Sequence, residues 1–244
     1  MADFFDFTSS QTIQFKEFSL NHLIPLFLVI LGVFVIFYFK DVLRESKHEK
    51  TIRYTMAITA IALEVSVQVW QAAHGQWNFA ESLPLHLCRL TSYLAIISML
   101  TKNEKIFRVA YFWSLAGVVS VMFPDISHGP DRYRYYHFMI SHMLFFYMYM
   151  YMLFVLRMRL DFKAFKKSFI ILFVLVVGFI IPINNIFDMN YMYLLEPGDT
   201  PFTIFYGNGY FLYVLGCITL TMIVMVLWYL PIHFYNKKRQ KENH

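Results

Sequence analysis

The sequence predicts an all-α fold, a polytopic membrane helix bundle of seven transmembrane helices with the amino terminus outside and the carboxyl terminus in the cytoplasm. Three observations predict it. Of 244 residues, 58% are hydrophobic and only 15% are charged, too few charges to cover a soluble surface. Seven apolar stretches approach the roughly 20 residues that cross a hydrocarbon core. Finally, basic residues concentrate on one side of these stretches.

The seven predicted spans follow the chain from its first long apolar run. Their bounds are about 20–39, 54–74, 85–100, 109–123, 135–156, 168–187 and 210–235. We expect one transmembrane domain, 1–244, with a short exterior segment at 1–19 and a basic cytoplasmic tail at 236–244. Residues 1–18 lack a basic start and a small-residue cleavage site, which predicts a mature first helix rather than a signal peptide.

The basic residues set the predicted orientation in the cell membrane. Of 21 Lys and Arg residues, 17 fall in alternate loops and the tail, 3 fall on the other side, and Arg89 lies within a span. Cytoplasmic loops carry such an excess of positive charge. The basic loops then face the anionic lipids of the inner leaflet. This accounts for the net charge of +5, and no nucleic-acid partner is implied.

Polar residues inside the second span form the first part of a candidate site. A charged side chain at mid-bilayer costs at least about 2.5 to 3.5 kcal/mol, so such groups tend to face the bundle interior. Glu64, Gln68 and Gln71 are spaced four and three residues apart and share one helical stripe. The glutamines can also be read as interhelical hydrogen bonds worth about 0.6 kcal/mol each. Glu64 must be protonated, paired or hydrated.

The third span begins with the most informative stretch, which contains His86, Cys88 and Arg89. In a regular helix His86 and Arg89 share a face, and Cys88 falls on another. The structural interpretation is an ion pair between Arg89 and Glu64, with Cys88 packed as a small hydrophobic side chain. Since Cys88 and Cys217 both lie in apolar stretches, a disulfide is not expected.

Further polar residues in the fifth and sixth spans lie in the same exterior half. These are His137, His142 and Asn185. His142 is about 10 Å inside the exterior edge, which matches the depth expected for Cys88. A channel or transporter would use polar groups along both halves of the bundle, so this distribution favours a cavity closed at its cytoplasmic end. The long exterior loop after the sixth span is typical of a lid or gate.

Two short motifs carry a resemblance to a known family. The run Leu83-Pro84-Leu85-His86-Leu87-Cys88, with Ile140-Ser141-His142 and the seven-span outline, resembles the bacterial YwaF-like integral membrane protein family over nearly the whole chain. That family is similar, more distantly, to eukaryotic transmembrane ether-phospholipid acyltransferases. Their pattern matches here at 88–90, at 135–142 and at 64–65. The resemblance implies that Cys88 and His142 are a catalytic pair.

The implied activity is that of a lipid acyltransferase or a lipid acyl hydrolase. Cys88 is the nucleophile and His142 its base, the partners are membrane lipids (a lysophospholipid or an acyl donor), and neither a cofactor nor a metal is needed. The expected substrate-binding residues are Glu64, Gln68, Gln71, His86, Arg89, His137 and Asn185. Two alternatives remain: a transporter or receptor for a small amphipathic ligand, and a non-catalytic structural membrane protein. Nothing in the sequence indicates an oligomeric state.

Overall fold

The computed structural model describes residues 2–8, 13–207 and 209–242. Residue 1 and residues 9–12 of the predicted exterior segment, and residues 243–244 of the predicted tail, lie outside this part of the chain. Within it, the structure is helical apart from loops and one isolated β-bridge between Gln14 and His128. The all-α class is therefore confirmed.

Eleven α-helices make up the described chain, joined by loops and short 3₁₀ turns. They are α1 (Leu20–Tyr38), α2 (Lys40–Glu45), α3 (Glu49–Ala73), α4 (Phe79–Ser82), α5 (Leu87–Thr101), α6 (Glu104–Ala110), α7 (Leu115–Met122), α8 (Tyr133–Phe154), α9 (Phe162–Leu175), α10 (Ile181–Phe187) and α11 (Tyr210–Glu242). A π-helical turn, Val176–Ile180, joins α9 to α10.

Six helical stretches are long and apolar enough to cross a membrane. They are Leu20–Tyr38, Glu49–Ala73, Glu104–Met122, Tyr133–Phe154, Phe162–Phe187 and Tyr210–Phe234. The exception is the predicted span at 85–100, where α5 has only 15 residues and extends about 22 Å, less than a core of about 30 Å. It begins late because Pro84 and the extended backbone of His86 precede it. The chain is a multi-pass membrane protein, while seven spans and their orientation stay predictions.

Several helices extend beyond the apolar runs that predicted them, because polar residues cap or continue them. Asn103 accepts hydrogen bonds from the first backbone N–H groups of α6, and Asp161 does the same for α9. These caps move the helix starts from the predicted 109 and 168 to Glu104 and Phe162. At the other end of the chain, α11 runs through the predicted tail to Glu242.

Helix α8 forms the centre of the bundle. It packs against α1, α3, α5 and α7, and its aromatic and methionine residues from Phe145 to Met152 are buried except for the half-buried Tyr147. The α3 and α5 helices also pack against each other. The side chains of α3, α5 and α8 that face one another therefore share one interior region.

Contacts between loops define two ends of the bundle. At the basic end, Arg53 and Lys102 both pair with Glu49, at 3.1 and 3.2 Å, and Arg108 pairs with Asp161 at 2.6 Å. At the opposite end, the amino-terminal segment, residues 74–86, residues 123–132 and residues 188–207 contact one another. The basic loops thus gather at one end, as their alternation in the sequence predicts.

Candidate functional site

Cys88 lies in the first turn of α5, at the opposite end of the bundle. The first helical hydrogen bond runs from the N–H of Leu90 to the carbonyl of His86, 3.0 Å, so the N–H groups of the three preceding residues have no helical acceptor. A helix N-terminus favours negative charge, and Cys88 belongs to this first turn.

His142 lies on α8 with a side chain that is 8% exposed. Its Nδ1 is 2.7 Å from the carbonyl oxygen of Phe138, and because a carbonyl only accepts, Nδ1 carries the proton. Within the described part of the chain, Nε2 makes no hydrogen bond. This tautomer leaves the Nε2 lone pair free to accept a proton.

Cys88 and His142 lie on helices that pack against each other, α5 and α8. No hydrogen bond joins the two side chains in the described chain. Their direct contact therefore stays a prediction.

The predicted ion pair between Arg89 and Glu64 is confirmed. Arg89 Nε lies 3.6 Å from Glu64 Oε1, and its Nη1 donates to the carbonyl oxygens of Ser82, at 2.8 Å, and Glu81, at 3.2 Å. Arg89 thus joins α3 to α5 and holds the chain that precedes α5.

The two glutamines of the α3 stripe bind the connection between α3 and α5, at Ser82. Gln68 donates from Nε2 to the carbonyl oxygen of Ser82, 3.0 Å, and accepts at Oε1 from Trp77 Nε1, 2.7 Å. Gln71 accepts from the hydroxyl of Ser82 at 3.3 Å. The stripe exists as its spacing predicts, and these contacts agree with the structural interpretation of the glutamines.

His86 lies outside α5, which corrects the assumption of a regular helix through this residue. Its backbone is extended, with φ −70° and ψ 141°, so it does not share a helical face with Arg89. Its Nδ1 accepts a hydrogen bond from the N–H of Met192, 3.3 Å, and its ring packs against Tyr191 and Tyr193.

Residues 188–200, which we call the cover segment, lie over this part of the site. The Tyr193 hydroxyl donates to Asp125 Oδ2 at 2.8 Å, and the Tyr191 hydroxyl donates to the carbonyl of Phe79. Burial, reinforced by the Asp125 carboxylate, raises the pKa of Tyr193, so its hydroxyl stays a neutral donor. The predicted lid therefore has ordered attachments to two neighbouring loops.

The two asparagines of α10 have different surroundings. Asn184 is fully buried and exchanges two hydrogen bonds with the backbone of Tyr191, 2.8 and 3.0 Å. Asn185 is exposed and donates to the Ile181 carbonyl, 2.8 Å, and to the Tyr210 hydroxyl, 2.9 Å. The structure does not bring Asn185 to Cys88 and His142. The residue of α10 that points into the bundle is Asn184.

Arg134 belongs to the site, although its position near a loop predicts an exterior residue. Helix α8 starts at Tyr133 rather than 135, which places Arg134 in its first turn, half-buried. Its Nη1 lies 3.1 Å from Nδ1 of His137, whose Nε2 lies 3.1 Å from the Leu63 carbonyl. His137 therefore donates to Leu63 and accepts from Arg134. The spacing of three residues between Arg134 and His137 is the sequence signal for this contact.

Cys88 is partly exposed. A separate open cavity of about 720 Å³ lies at the same end of the bundle, lined by residues that include Phe15, Phe123 and Asp199, and neither Cys88 nor His142 lines it. In the described chain, no group of three His, Cys, Asp or Glu residues could hold a metal ion.

Comparisons with known proteins identify a family. The model of the TMEM164 family matches residues 17–229. An uncharacterized protein of Treponema pallidum (strain Nichols) is 28% identical over 67 residues, which cover 28% of this chain and 28% of that protein. The match thus spans less than a third of the relative's length. No solved structure matches this chain.

Proposed function

Since this chain belongs to the TMEM164 family, a family of membrane proteins, we propose that it is a lipid acyltransferase that uses a cysteine and a histidine. The observation that carries the proposal is the thiol of Cys88 in the first turn of α5, on a helix that packs against α8, which bears His142. The resemblance of the Cys88 and His142 motifs to acyltransferases supports the same chemistry.

The proposal includes a topology in the cell membrane. In this topology α5 also crosses the membrane, in addition to the six long helical stretches. It is short because the chain that leads into it is extended at His86, at the end of the bundle opposite the basic loops. The basic loops contact one another and are assigned to the cytoplasm by their charge. Cys88 and His142 then lie in the exterior half of the bundle, where a lipid of the outer leaflet reaches them.

The proposed reaction has two acyl-transfer steps. Nε2 of His142 takes the proton of the Cys88 thiol, and the thiolate attacks the carbonyl carbon of a lipid ester. The ester C–O bond breaks, the lysolipid alkoxide leaves with the proton from His142, and a thioester remains on Cys88. An acceptor hydroxyl then gives its proton to His142 and attacks the thioester, which restores the thiol. With water as the acceptor the same site is a hydrolase.

Backbone N–H groups are the proposed oxyanion donors. The first turn of α5 has N–H groups without helical acceptors at Leu87, Cys88 and Arg89. Such preorganised donors stabilise the charge that develops on the ester oxygen. The side-chain amides of Gln68 and Gln71 are less suited to this role, because they already bind Ser82 and Trp77.

Acyl labelling of the purified protein tests the proposal. The full chain in lipid nanodiscs is incubated with a phospholipid that carries an alkyne on its acyl chain, and hydroxylamine-sensitive label is mapped by mass spectrometry. We expect label on Cys88 in wild type and Cys217→Ala, and none in Cys88→Ala. His142→Gln should slow labelling about 100-fold or more. Undiminished hydroxylamine-sensitive labelling after removal of both Cys88 and Cys217 would refute the covalent route.

A further inference from the structure

Arg134 carries a positive charge that no protein carboxylate neutralises. Among the described residues, no carboxylate oxygen lies within 4.0 Å of its guanidinium. Its hydrogen bond uses Nη1 and goes to the neutral Nδ1 of His137, at 3.1 Å, and its guanidinium carbon lies 5.6 Å from the centre of the Phe138 ring. Nε and Nη2 make no hydrogen bond within the described chain. The edge of the Arg134 guanidinium formed by Nε and Nη2 therefore has donors available for a ligand.

The neighbouring charges do not compensate Arg134. Among the described residues, the carboxylate that pairs with Arg89 is Glu64, at 3.6 Å. Asp125, at the same end of the bundle, accepts hydrogen bonds from the Tyr193 hydroxyl and from the N–H of Asp199, 2.8 and 3.4 Å. Among the described residues, neither Glu64 nor Asp125 lies within ion-pair distance of the Arg134 guanidinium, so both carboxylates have their contacts elsewhere. A half-buried guanidinium with unused donors gains from an anionic partner.

We propose that Arg134 binds the phosphate group of the lipid substrate. This inference rests on the proposed acyl transfer and assigns the residue by which the site distinguishes a phospholipid or lysophospholipid from a neutral glyceride. An open guanidinium edge matches two phosphate oxygens. His137 is the positioning residue, because it fixes Nη1 and is itself held by Leu63.

The place of Arg134 along α8 agrees with this role. It lies in the first turn, at the helix end where a lipid head group would sit, and His142 follows eight residues later, about 12 Å along the axis. A phosphate at Arg134 therefore directs the ester groups of the same lipid toward His142 and Cys88.

Stability separates a binding role from a structural one. A structural arginine loses contacts when it is replaced, whereas an arginine without a counter-ion is a burden to the lipid-free protein. In detergent without added phospholipid, we expect Arg134→Gln to unfold at the same temperature as wild type or at a higher one. A lower unfolding temperature, together with unchanged lipid preference, would overturn the proposal.

Direct binding provides the second measurement. Native mass spectrometry of the full chain compares lysophosphatidylglycerol, monoacylglycerol of equal chain length, and glycerol phosphate. Wild type should prefer lysophosphatidylglycerol over monoacylglycerol at least tenfold, about 1.4 kcal/mol at 25 °C, and Arg134→Gln should lose this preference. The matched control is Arg157→Gln, whose side chain is 72% exposed at the basic end and which should keep it. A full preference in Arg134→Gln would refute the assignment, and equally tight binding of glycerol phosphate would show a site for soluble phosphates instead.

One variant distinguishes failure of this inference from failure of the proposed chemistry. Cys88→Ala should bind lysophosphatidylglycerol as wild type does, since it keeps Arg134. If the phosphate preference depends on Arg134 but Cys88 is never acylated, the lipid site stands and the acyl transfer falls. If Cys88 is acylated while Arg134→Gln keeps the preference, the enzyme stands and this phosphate site falls.

Discussion

The ion pair between Glu64 and Arg89 is expected to stabilise the fold, and Arg89→Gln tests this. Arg89 reaches Glu64 at 3.6 Å and donates to the carbonyl oxygens of Ser82 and Glu81. A glutamine at this position cannot span all three contacts. The change therefore leaves a carboxylate without its cation and loosens the segment that leads into α5.

The expected magnitude follows from burial and geometry. The two side chains are 15% and 14% exposed, so solvent screens the pair only weakly. Removal of one partner from a buried pair costs about 3 to 5 kcal/mol, and the separation of 3.6 Å places this pair at the lower end. We expect Arg89→Gln to lower the free energy of unfolding by about 3 kcal/mol. Replacement of both residues, Glu64→Gln with Arg89→Gln, should cost at least about 1 kcal/mol less than the sum of the two single changes.

Unfolding in mixed micelles of increasing SDS content measures these free energies. Trp70 lies in the last turns of α3, and Trp77 lies in the loop between α3 and α4. Tryptophan fluorescence therefore reports release of the segment that leads into α5. Arg157→Gln is again the control, because its side chain is exposed and should change the free energy of unfolding by less than about 0.5 kcal/mol. Additive effects of the two substitutions, or a wild-type midpoint for Arg89→Gln, would show that the pair does not stabilise the protein.

Two further predictions concern helix packing and pH. A Cβ at Gly117 would lie 2.7 Å from the backbone oxygen of His142, so Gly117→Ala should separate α7 from α8, cost about 1 to 3 kcal/mol and slow acylation. Gly178→Ala has no atom within 4 Å of its Cβ and is the control; equal midpoints would contradict the packing. Burial lowers the pKa of His128, so the unfolded state takes up its proton first and stability is lost as pH falls below about 6.5. His128→Gln should weaken the fall in unfolding temperature between pH 7 and pH 5, and an unchanged fall would refute this cause.

The apolar runs predict the helices well because span length depends on the thickness of the bilayer alone. They predict helix ends poorly, since the caps at Asn103 and Asp161 are local side-chain contacts that lie outside the apolar runs. The helix of the predicted third span begins later than its apolar run for a related reason. Pro84 restricts the residue before it, and His86 adopts an extended backbone, so apolar composition continues where the helix has not begun.

The candidate site divides in the same way between local and tertiary information. The stripe of Glu64, Gln68 and Gln71 is predictable because helical periodicity fixes it. Which of Asn184 and Asn185 points into the bundle depends on how α10 is rotated against the cover segment. The sequence of α10 alone does not determine this rotation. The loop contacts of Gln68 and Gln71 likewise depend on a connection that folds back over α3.

The two arginines show what limits this kind of inference. Arg89, deep in an apolar run, attracts attention as the costly charge, and the structure gives it a carboxylate in Glu64. Arg134, next to a loop, counts as an ordinary exterior charge in a tally of basic residues, yet α8 begins early enough to draw it into the bundle without a carboxylate. The position of a charged residue within an apolar run indicates how much free energy the charge would cost if it stayed unpaired. Which charge stays unpaired is decided by the packing of α3, α5 and α8, and the unpaired one is where an anionic group of a substrate has most to gain.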